Sequence, residues 1–484
     1  MSGILRRFED FVLIYFIVVN GFYGLQLLTA AAMLYLHNAR TWRESGWRIL
    51  GSDVTPTISI LAPAYNEERS IVDSVRALLA LHYQNLEIIV VNDGSSDGTL
   101  AALAGAFHLV AIYPIYRRRV EHAAVIGLYR SASYPSLIVA DKKNGGKADA
   151  LNAGLNLANG DLVCAIDADT IIERDALRRL VRPFIRANDV LAAGGTIRIA
   201  NGSEIAEGRV VRARVSRNPL AGFQTIEYFR AFLFGRLAWN PLGGNLIISG
   251  AFGLFRRDAV IDAGGYLHDT VGEDMELVVR LRRRGYETKS ATRVDFIPDP
   301  VAWTEAPETL RVLGRQRDRW QRGLAETLLH HRRLLFNPRY GAMGLVVYPY
   351  FVFVELLAPV IEALGIIAVL LGLFDAPLHA TFAIAFFAIA YGLGIVFSTA
   401  TLVLEEVEYH TYATARDRML LFVWMGLESF GYRQLTVFWR LRGLLHFFMG
   451  RKDWGSMERK GFLRPPSEAP AESDGGDRSA PGGT

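Results

Sequence analysis

Apolar residues follow two regimes along this chain. Near both ends they form long runs. The run from Phe11 to Leu36 contains no charged residue and is long enough to cross a bilayer as a helix. Two later runs, Leu345 to Phe374 and Leu378 to Leu404, are lightly interrupted by polar positions. Between Leu36 and Leu345 the pattern shortens to strand-like and helix-like segments in alternation. "TISILAPAYNEE" reads as a buried strand from Ile58 to Leu61 that breaks at Pro63, and "RSIVDSVRALLAL" sets Ile71, Val75, Leu78 and Leu79 on one side of a helix. "LEIIVVNDGSSDGT" gives another strand, Leu86 to Val91, ending in a Gly/Ser/Asp turn before a helix from Thr99. This alternation predicts a mostly parallel, doubly wound α/β sheet, in which ligands collect at the carboxyl ends of strands. Tyr65, Asn66, Glu67, Asp93, Asp167 and Asp169 all fall just past strand ends.

Other stretches are less regular. Phe107 to Asp141 reads as extra strands or a hairpin. "NPLAGFQTIEYFRAFLFGRLAWN" mixes aromatics and leucines with scattered arginines, which suits either a membrane interface or an ordinary core helix. Met419 to Met449 is apolar yet carries Glu428, Arg433, Arg440 and Arg442. It re-enters the membrane, lies along its surface, or breaks the charge rule; its charges are more tolerable along a polar path than facing lipid. The tail "PPSEAPAESDGGDRSAPGGT" is expected to be disordered. The expected division is an N-terminal membrane helix at 1–40, a large α/β domain at 41–340, membrane or re-entrant helices at 341–450, and a basic, then disordered, tail at 451–484.

Composition narrows this further. The chain has 484 residues, 51% of them hydrophobic and 21% charged, with a mean hydropathy of +0.19. That is too apolar for an ordinary soluble enzyme and too charged for a protein wholly within a membrane. The small residues of "LTAAA" raise the alternative of a cleaved signal peptide, but the apolar run is too long for a usual h-region and its far side is basic. Arg40, Arg43 and Arg48 follow the first run, and Arg332, Arg333 and Arg339 precede the second. Positive charge marks the inner face, so a multi-pass protein of the plasma (inner) membrane with a cytoplasmic large domain is expected. Nucleic acid is not an expected partner, because these arginines cluster beside spans. Cys164 is the single cysteine, so neither an internal disulfide nor a cysteine-based zinc site is available.

The chemistry gathers in five places. "DAD" sets Asp167 and Asp169 one residue apart at the end of an apolar strand. Such a pair is a solvated acidic turn, or two like charges reconciled by a divalent cation. "NDGSSDGT" holds Asp93 where a carboxylate can accept a base N–H, and "NGGKADALN" offers a flexible loop with Lys147 as a point charge for phosphate. Each is also a common turn or helix entry. "TVGEDMELVVRLRRRGYE" places Glu273 and Asp274 in a first helical turn, as ordinary capping or as a carboxylate base. "LGRQRDRWQRGL" brings Gln316, Arg319 and Trp320 to one helical face. That face suits a cationic helix at a membrane, or a guanidinium for phosphate and an indole for a sugar.

"APAYNEE", "VNDGSSDGT", "NGGKADALN", "DAD", "SGAFGLFRRD", "GED" and "QRDRW" occur in an order and rough spacing that resembles the family 2 glycosyltransferases with a GT-A fold. More narrowly, the chain is similar to the processive membrane synthases of poly-N-acetylglucosamine, hyaluronan, chitin and cellulose, over roughly Ile58 to Leu324. The resemblance implies an α/β GT-A domain joined to a helical membrane region. It implies that Tyr65, Glu67 and Asp93 surround uracil and that Lys147 holds the nucleotide. Asp167 then lies near the ribose and metal, while Asp169 binds a magnesium or manganese ion bridging the diphosphate. Asp274 is the implied base for the acceptor hydroxyl, with Glu273 beside it. Gln316, Arg319 and Trp320 form the acceptor mouth, Arg319 also facing the diphosphate, and Ser249, Gly250 and Phe252 lie against the acceptor sugar. Displacement by an external hydroxyl implies inversion, from an α-linked UDP-sugar to a β-linked product.

The chain departs from the pattern in places. Gly272 stands where the family often has Thr, and Phe107 to Asp141 is longer than expected. Nothing after Leu404 resembles a cyclic-dinucleotide-binding module, and few spans are evident, so an accessory export subunit is a possible partner. N-acetylglucosamine is the favoured donor sugar and glucose the competitor. Two other readings stand beside the processive one: transfer of a single sugar to a lipid or short glycan, and a catalytically silent membrane receptor or assembly protein.

Overall fold

A computed structural model of the chain describes residues 2–44, 55–167, 170–206, 208–372 and 378–451. Its strands are β1 Ile58–Ala64, β2 Leu86–Asp93, β3 Leu109–Ile112, β4 Val125–Ser131, β5 Leu137–Lys142, β6 Leu162–Ile166, β7 Ile171–Ile172, β8 Val190–Ile199, β9 Glu204–Ala206, β10 Arg209–Arg212, β11 Phe252–Arg256 and β12 Arg293–Thr304. Among the described residues, ten strands make one sheet in the order β3-β4-β5-β2-β1-β6-β11-β8-β12-β7, and β9 pairs with β10 apart from it. The centre, β5-β2-β1-β6, is parallel. Side chains alternate across it as strand geometry requires. β1 sends Ile58, Ile60, Ala62 and Ala64 into one apolar layer and Leu61 into the other, and β2 divides Ile88 and Val90 from Ile89 and Val91 in the same way. Phe107 to Asp141 forms the antiparallel edge β3-β4 and returns through β5.

β1 does not break at Pro63 but continues to Ala64. Its pairing with β6 stops at Leu61, two residues earlier. A residue without an N–H is tolerated where a ladder has ended.

Among the described residues, Arg6–Trp42 and Thr381–Tyr409 are long and apolar enough to cross a membrane. The run expected as one span from Leu345 to Phe374 is instead two helices, Met343–Leu356 and Ala358–Leu370, bent by 40°; Phe374 lies outside the described residues. Pro359 explains the break, because it lacks the N–H that would bond the Glu355 carbonyl one turn back. The carbonyls this frees are met from elsewhere. Arg440 donates to the Glu355 carbonyl, and Gln321 Nε2 to that of Leu356 at 3.2 Å.

The charges in Met419 to Met449 also find protein partners. Two helices occupy the stretch, Ala415–Glu428 and Tyr432–Phe448. Glu428 accepts from Arg230 Nη1 at 2.6 Å, and Arg433 Nε donates to Glu362 at 2.8 Å. Arg440 Nε reaches Gln321 at 2.8 Å and Arg442 Nε reaches Asp318 at 2.9 Å. The last helix therefore packs along the helix Leu310–His330, which carries "QRDRW". Gly443 permits the close approach, since a Cβ there would sit 2.6 Å from the Asp318 carbonyl oxygen. The basic stretch after Arg451 and the acidic tail lie outside the described residues.

Candidate active site

β2, β1 and β6 end side by side, so three loops leave the same edge of the sheet. The loop after β1 is stitched to the loop after β2. Asn66, at a φ of 55°, donates its N–H to Ser95 Oγ at 3.0 Å and accepts the Ser96 N–H at 2.8 Å. Glu67 N–H donates to Thr99 Oγ1 at 2.9 Å, and its carboxylate accepts from Ser70 Oγ at 2.6 Å. Tyr65 stands 53% exposed beside them.

Asp93 is buried and uses its carboxylate inward. It accepts the N–H groups of Gly145 at 3.0 Å and Gly146 at 2.7 Å, and pairs with Lys142. Lys142, fully buried at the end of β5, also reaches Asp149 at 2.5 Å. This buried triad fixes the glycine turn that presents Lys147. Lys142 carries one signal in the sequence: it falls two and four residues after the apolar Ala140 and Ile138, on the same face of β5.

Lys147 opens the helix Lys147–Leu157 and turns its ammonium to the centre of the site. Nζ lies 2.7 Å from Asp167 and 3.2 Å from Glu273. Burial works to lower the lysine pKa, but Asp167 and Glu273 outweigh it and hold the group above the ordinary lysine range. The Glu273 carboxyl is pushed up by burial, with Lys147 opposing. Asp274, next on the helix Glu273–Thr288, accepts the Met275 N–H at 2.8 Å and the Gly250 N–H at 3.1 Å. A Cβ on Gly250 would stand 3.3 Å from Lys147 Nζ and 3.4 Å from Asp274 Oδ2, so glycine keeps this junction open.

The segment that delivers Gly250 is itself anchored. Arg282, fully buried, donates to the carbonyl of Gly244 at 2.7 Å and of Asn245 at 3.2 Å. Burial pushes its guanidinium down to about 10. Gly244 has a φ of +95°, and a Cβ there would fall 1.7 Å from the Val294 carbonyl oxygen. Gly244→Ala is therefore expected to yield no folded protein. Size-exclusion chromatography of the solubilised variant checks this, and a monodisperse peak like that of the wild type would contradict it.

A cavity of about 780 Å³ brings together Lys147, Asp167, Ser249, Gly250, Glu273, Asp274, Gln316, Arg319 and Trp320. It continues inward past Trp239 to Tyr350, Glu355 and Arg440, beside the break at Leu357. Trp320 is held by the Arg317 guanidinium, 4.5 Å from its ring, and Arg317 is fixed by Glu227 at 2.6 Å. Among the described residues, Gln316 Oε1 is buried without a hydrogen-bond partner. Tyr65, Glu67 and Asp93 sit on the neighbouring loops and do not line this cavity. Phe252 is fully buried within β11, in the core rather than at the cavity wall. Asp169 lies outside the described residues. Arg236, which the sequence reading leaves among scattered arginines, does line the cavity.

Comparison with known proteins identifies the family. The family profile "Glycosyl transferase family 2" matches residues 59–263, and "Glycosyl transferase family group 2" matches 162–398. A poly-beta-1,6-N-acetyl-D-glucosamine synthase of Staphylococcus aureus (strain COL) is 34% identical over 275 residues, 56% of this chain and 55% of that protein. The synthase of the same name from Staphylococcus epidermidis is 32% identical over 272 residues, with the same shares. The chain thus spans about half the length of the curated relatives it matches. Among solved structures, a mannosyltransferase from Pyrobaculum calidifontis, in complex with GDP-Man and Mn2+, is 17% identical at a TM-score of 0.48, covering 89% of this chain and 99% of its own. With its parallel sheet centre, its strand-end loops and these two overlapping matches, the chain belongs to glycosyl transferase family 2 and has the GT-A fold.

Proposed function

We propose that this chain is an inverting membrane glycosyltransferase that transfers a sugar from a UDP-sugar to the hydroxyl of a growing β-linked polysaccharide. One observation carries the reading: Lys147, Asp167 and Asp274 share a cavity with the Gln316, Arg319 and Trp320 face. Asp274 takes the proton from the acceptor hydroxyl, whose oxygen bonds to the anomeric carbon as the bond to the diphosphate oxygen breaks. UDP leaves, and the new linkage is inverted. Trp320 gives the acceptor ring a stacking face, and Lys147 offers positive charge to the departing phosphate. Tyr65 and Glu67 carry the uracil end on the adjoining loops, while Asp93, its carboxylate turned inward, shapes the turn beneath them rather than meeting the base directly. N-acetylglucosamine is the first donor to test, given the relatives named as poly-beta-1,6-N-acetyl-D-glucosamine synthases.

Asp167 also fits a magnesium or manganese ion. It is a hard oxygen donor, and its side chain is 26% exposed directly after β6. Asp167 and Asp169 would hold the ion, which when bound neutralises charge on the diphosphate. In this reading residues 1–40 and 341–450 are held in the plasma (inner) membrane, 41–340 face the cytoplasm, and export of the product involves this chain or an accessory subunit.

A donor screen tests the reading. Detergent-purified protein is expected to release UDP from one UDP-sugar, to stop on chelation with EDTA, and to recover on adding manganese or magnesium. Absence of UDP release from every common UDP-sugar would overturn it.

A further inference from the structure

Arg236 is a charged group in the cavity that no step above uses. It follows the π-helical turn Arg230–Phe234 and precedes the 3-10 turn Leu237–Leu242. A π-turn carries an extra residue and re-aims what comes after it, and such turns recur at functional sites. Here the guanidinium is delivered to the lining of the cavity that also holds Asp274 and Gly250. It rests 4.0 Å from the centroid of the Phe232 ring. Within the described residues it makes no hydrogen bond or ion pair. Other cavity arginines are engaged: Arg317 with Glu227, and Arg440 with Gln321.

A guanidinium presents five N–H donors in a planar fork, and leaving them unmet in a cleft is costly. Burial pushes Arg236 down to about 10, with Asp274 opposing. Its nearest surroundings are aromatic, with Phe232 beneath it and the Tyr228 ring 5.5 Å from that of Phe232. A ligand suited to this corner offers a flat apolar face and several oxygens at its rim. A sugar ring has both.

We infer that Arg236 binds the terminal sugar of the acceptor, donating to its substituent oxygens so that the attacking hydroxyl faces Asp274. The inference rests on the proposed transfer reaction and assigns Arg236 to the acceptor rather than to the diphosphate. Loss of hydrogen bonds to a charged donor lowers affinity by about 10- to 100-fold.

The test uses the full chain in nanodiscs, with UDP release followed at saturating donor while a β-linked N-acetylglucosamine oligosaccharide is titrated. Arg236→Gln is expected to raise the acceptor KM at least about tenfold, with the donor KM and the affinity for UDP unchanged. Arg236→Lys is expected to recover part of the loss, since it keeps the charge without the fork. Oligosaccharide binding without donor, read by tryptophan fluorescence, should weaken in parallel. It also carries the test through Arg236→Lys if the glutamine variant does not fold. An unchanged acceptor KM, or a shift confined to the donor KM or to UDP affinity, would overturn the inference. A wild type that releases no UDP would instead overturn the transfer reading beneath it.

Discussion

Asp274→Asn is expected to keep its affinity for UDP while sugar transfer falls by on the order of 10²–10⁴-fold. The substitution is nearly isosteric. Asparagine still has an oxygen to accept the Gly250 N–H, now 3.1 Å from Asp274 Oδ2, so the Ser249–Gly250 segment should stay in place. What disappears is the capacity to take a proton, together with the acceptor for the Met275 N–H at the open first turn of the helix. Calorimetric titration with UDP and a UDP-release assay on the same preparation separate the two effects. An asparagine variant with near wild-type turnover would remove Asp274 from the base role, and one that has lost UDP binding would show that it acts on the fold instead.

Lys142→Met should destabilise the fold strongly although it lies away from the reacting atoms. Lys142 is fully buried and is the cation shared by Asp93 and Asp149, themselves 3% and 4% exposed. Breaking a buried pair by removing one partner costs about 3–5 kcal/mol, because the remaining charges stay out of water. For a domain of this size that corresponds to a fall in melting temperature on the order of 10 °C. Affinity for UDP should fall with it, since Asp93 also accepts the Gly145 and Gly146 N–H groups that shape the turn before Lys147. Adding Asp149→Asn to Lys142→Met should restore part of the stability by removing one stranded charge. Differential scanning fluorimetry of the two variants checks this. An unchanged melting temperature in Lys142→Met would mean the triad contributes no net stabilisation.

What the sequence could reveal divides along physical lines. Local pattern was enough for the strands β1, β2 and β6, whose apolar runs announce burial on both faces. It was also enough for the helix openings at Lys147 and Glu273, because turn chemistry and amphipathic spacing act over a few residues. Features that depend on distant partners were not legible. Pro63 reads as a strand end because nothing local tells that β6 stops pairing at Leu61. The bend at Leu357 is tolerated because Arg440 and Gln321, far along the chain, receive the freed carbonyls. Arg433, Arg440 and Arg442 look hostile to an apolar helix until Glu362, Gln321 and Asp318 are seen opposite them. Lys142 and Lys147 share one short lysine-rich stretch, yet one is buried beneath the glycine turn and the other faces the cavity.

The most direct test of sugar transfer at this cavity is the product itself. Purified wild-type protein is incubated with a 13C-labelled UDP-sugar, the divalent ion and a short acceptor. Chain length is then read on a sizing gel and the new anomeric centre by NMR. We expect a ladder of lengthening chains joined by β-linkages, with one UDP released for each sugar added. Free sugar released in step with UDP, or a product with α-linkages, would contradict attack by an acceptor hydroxyl that Asp274 has deprotonated.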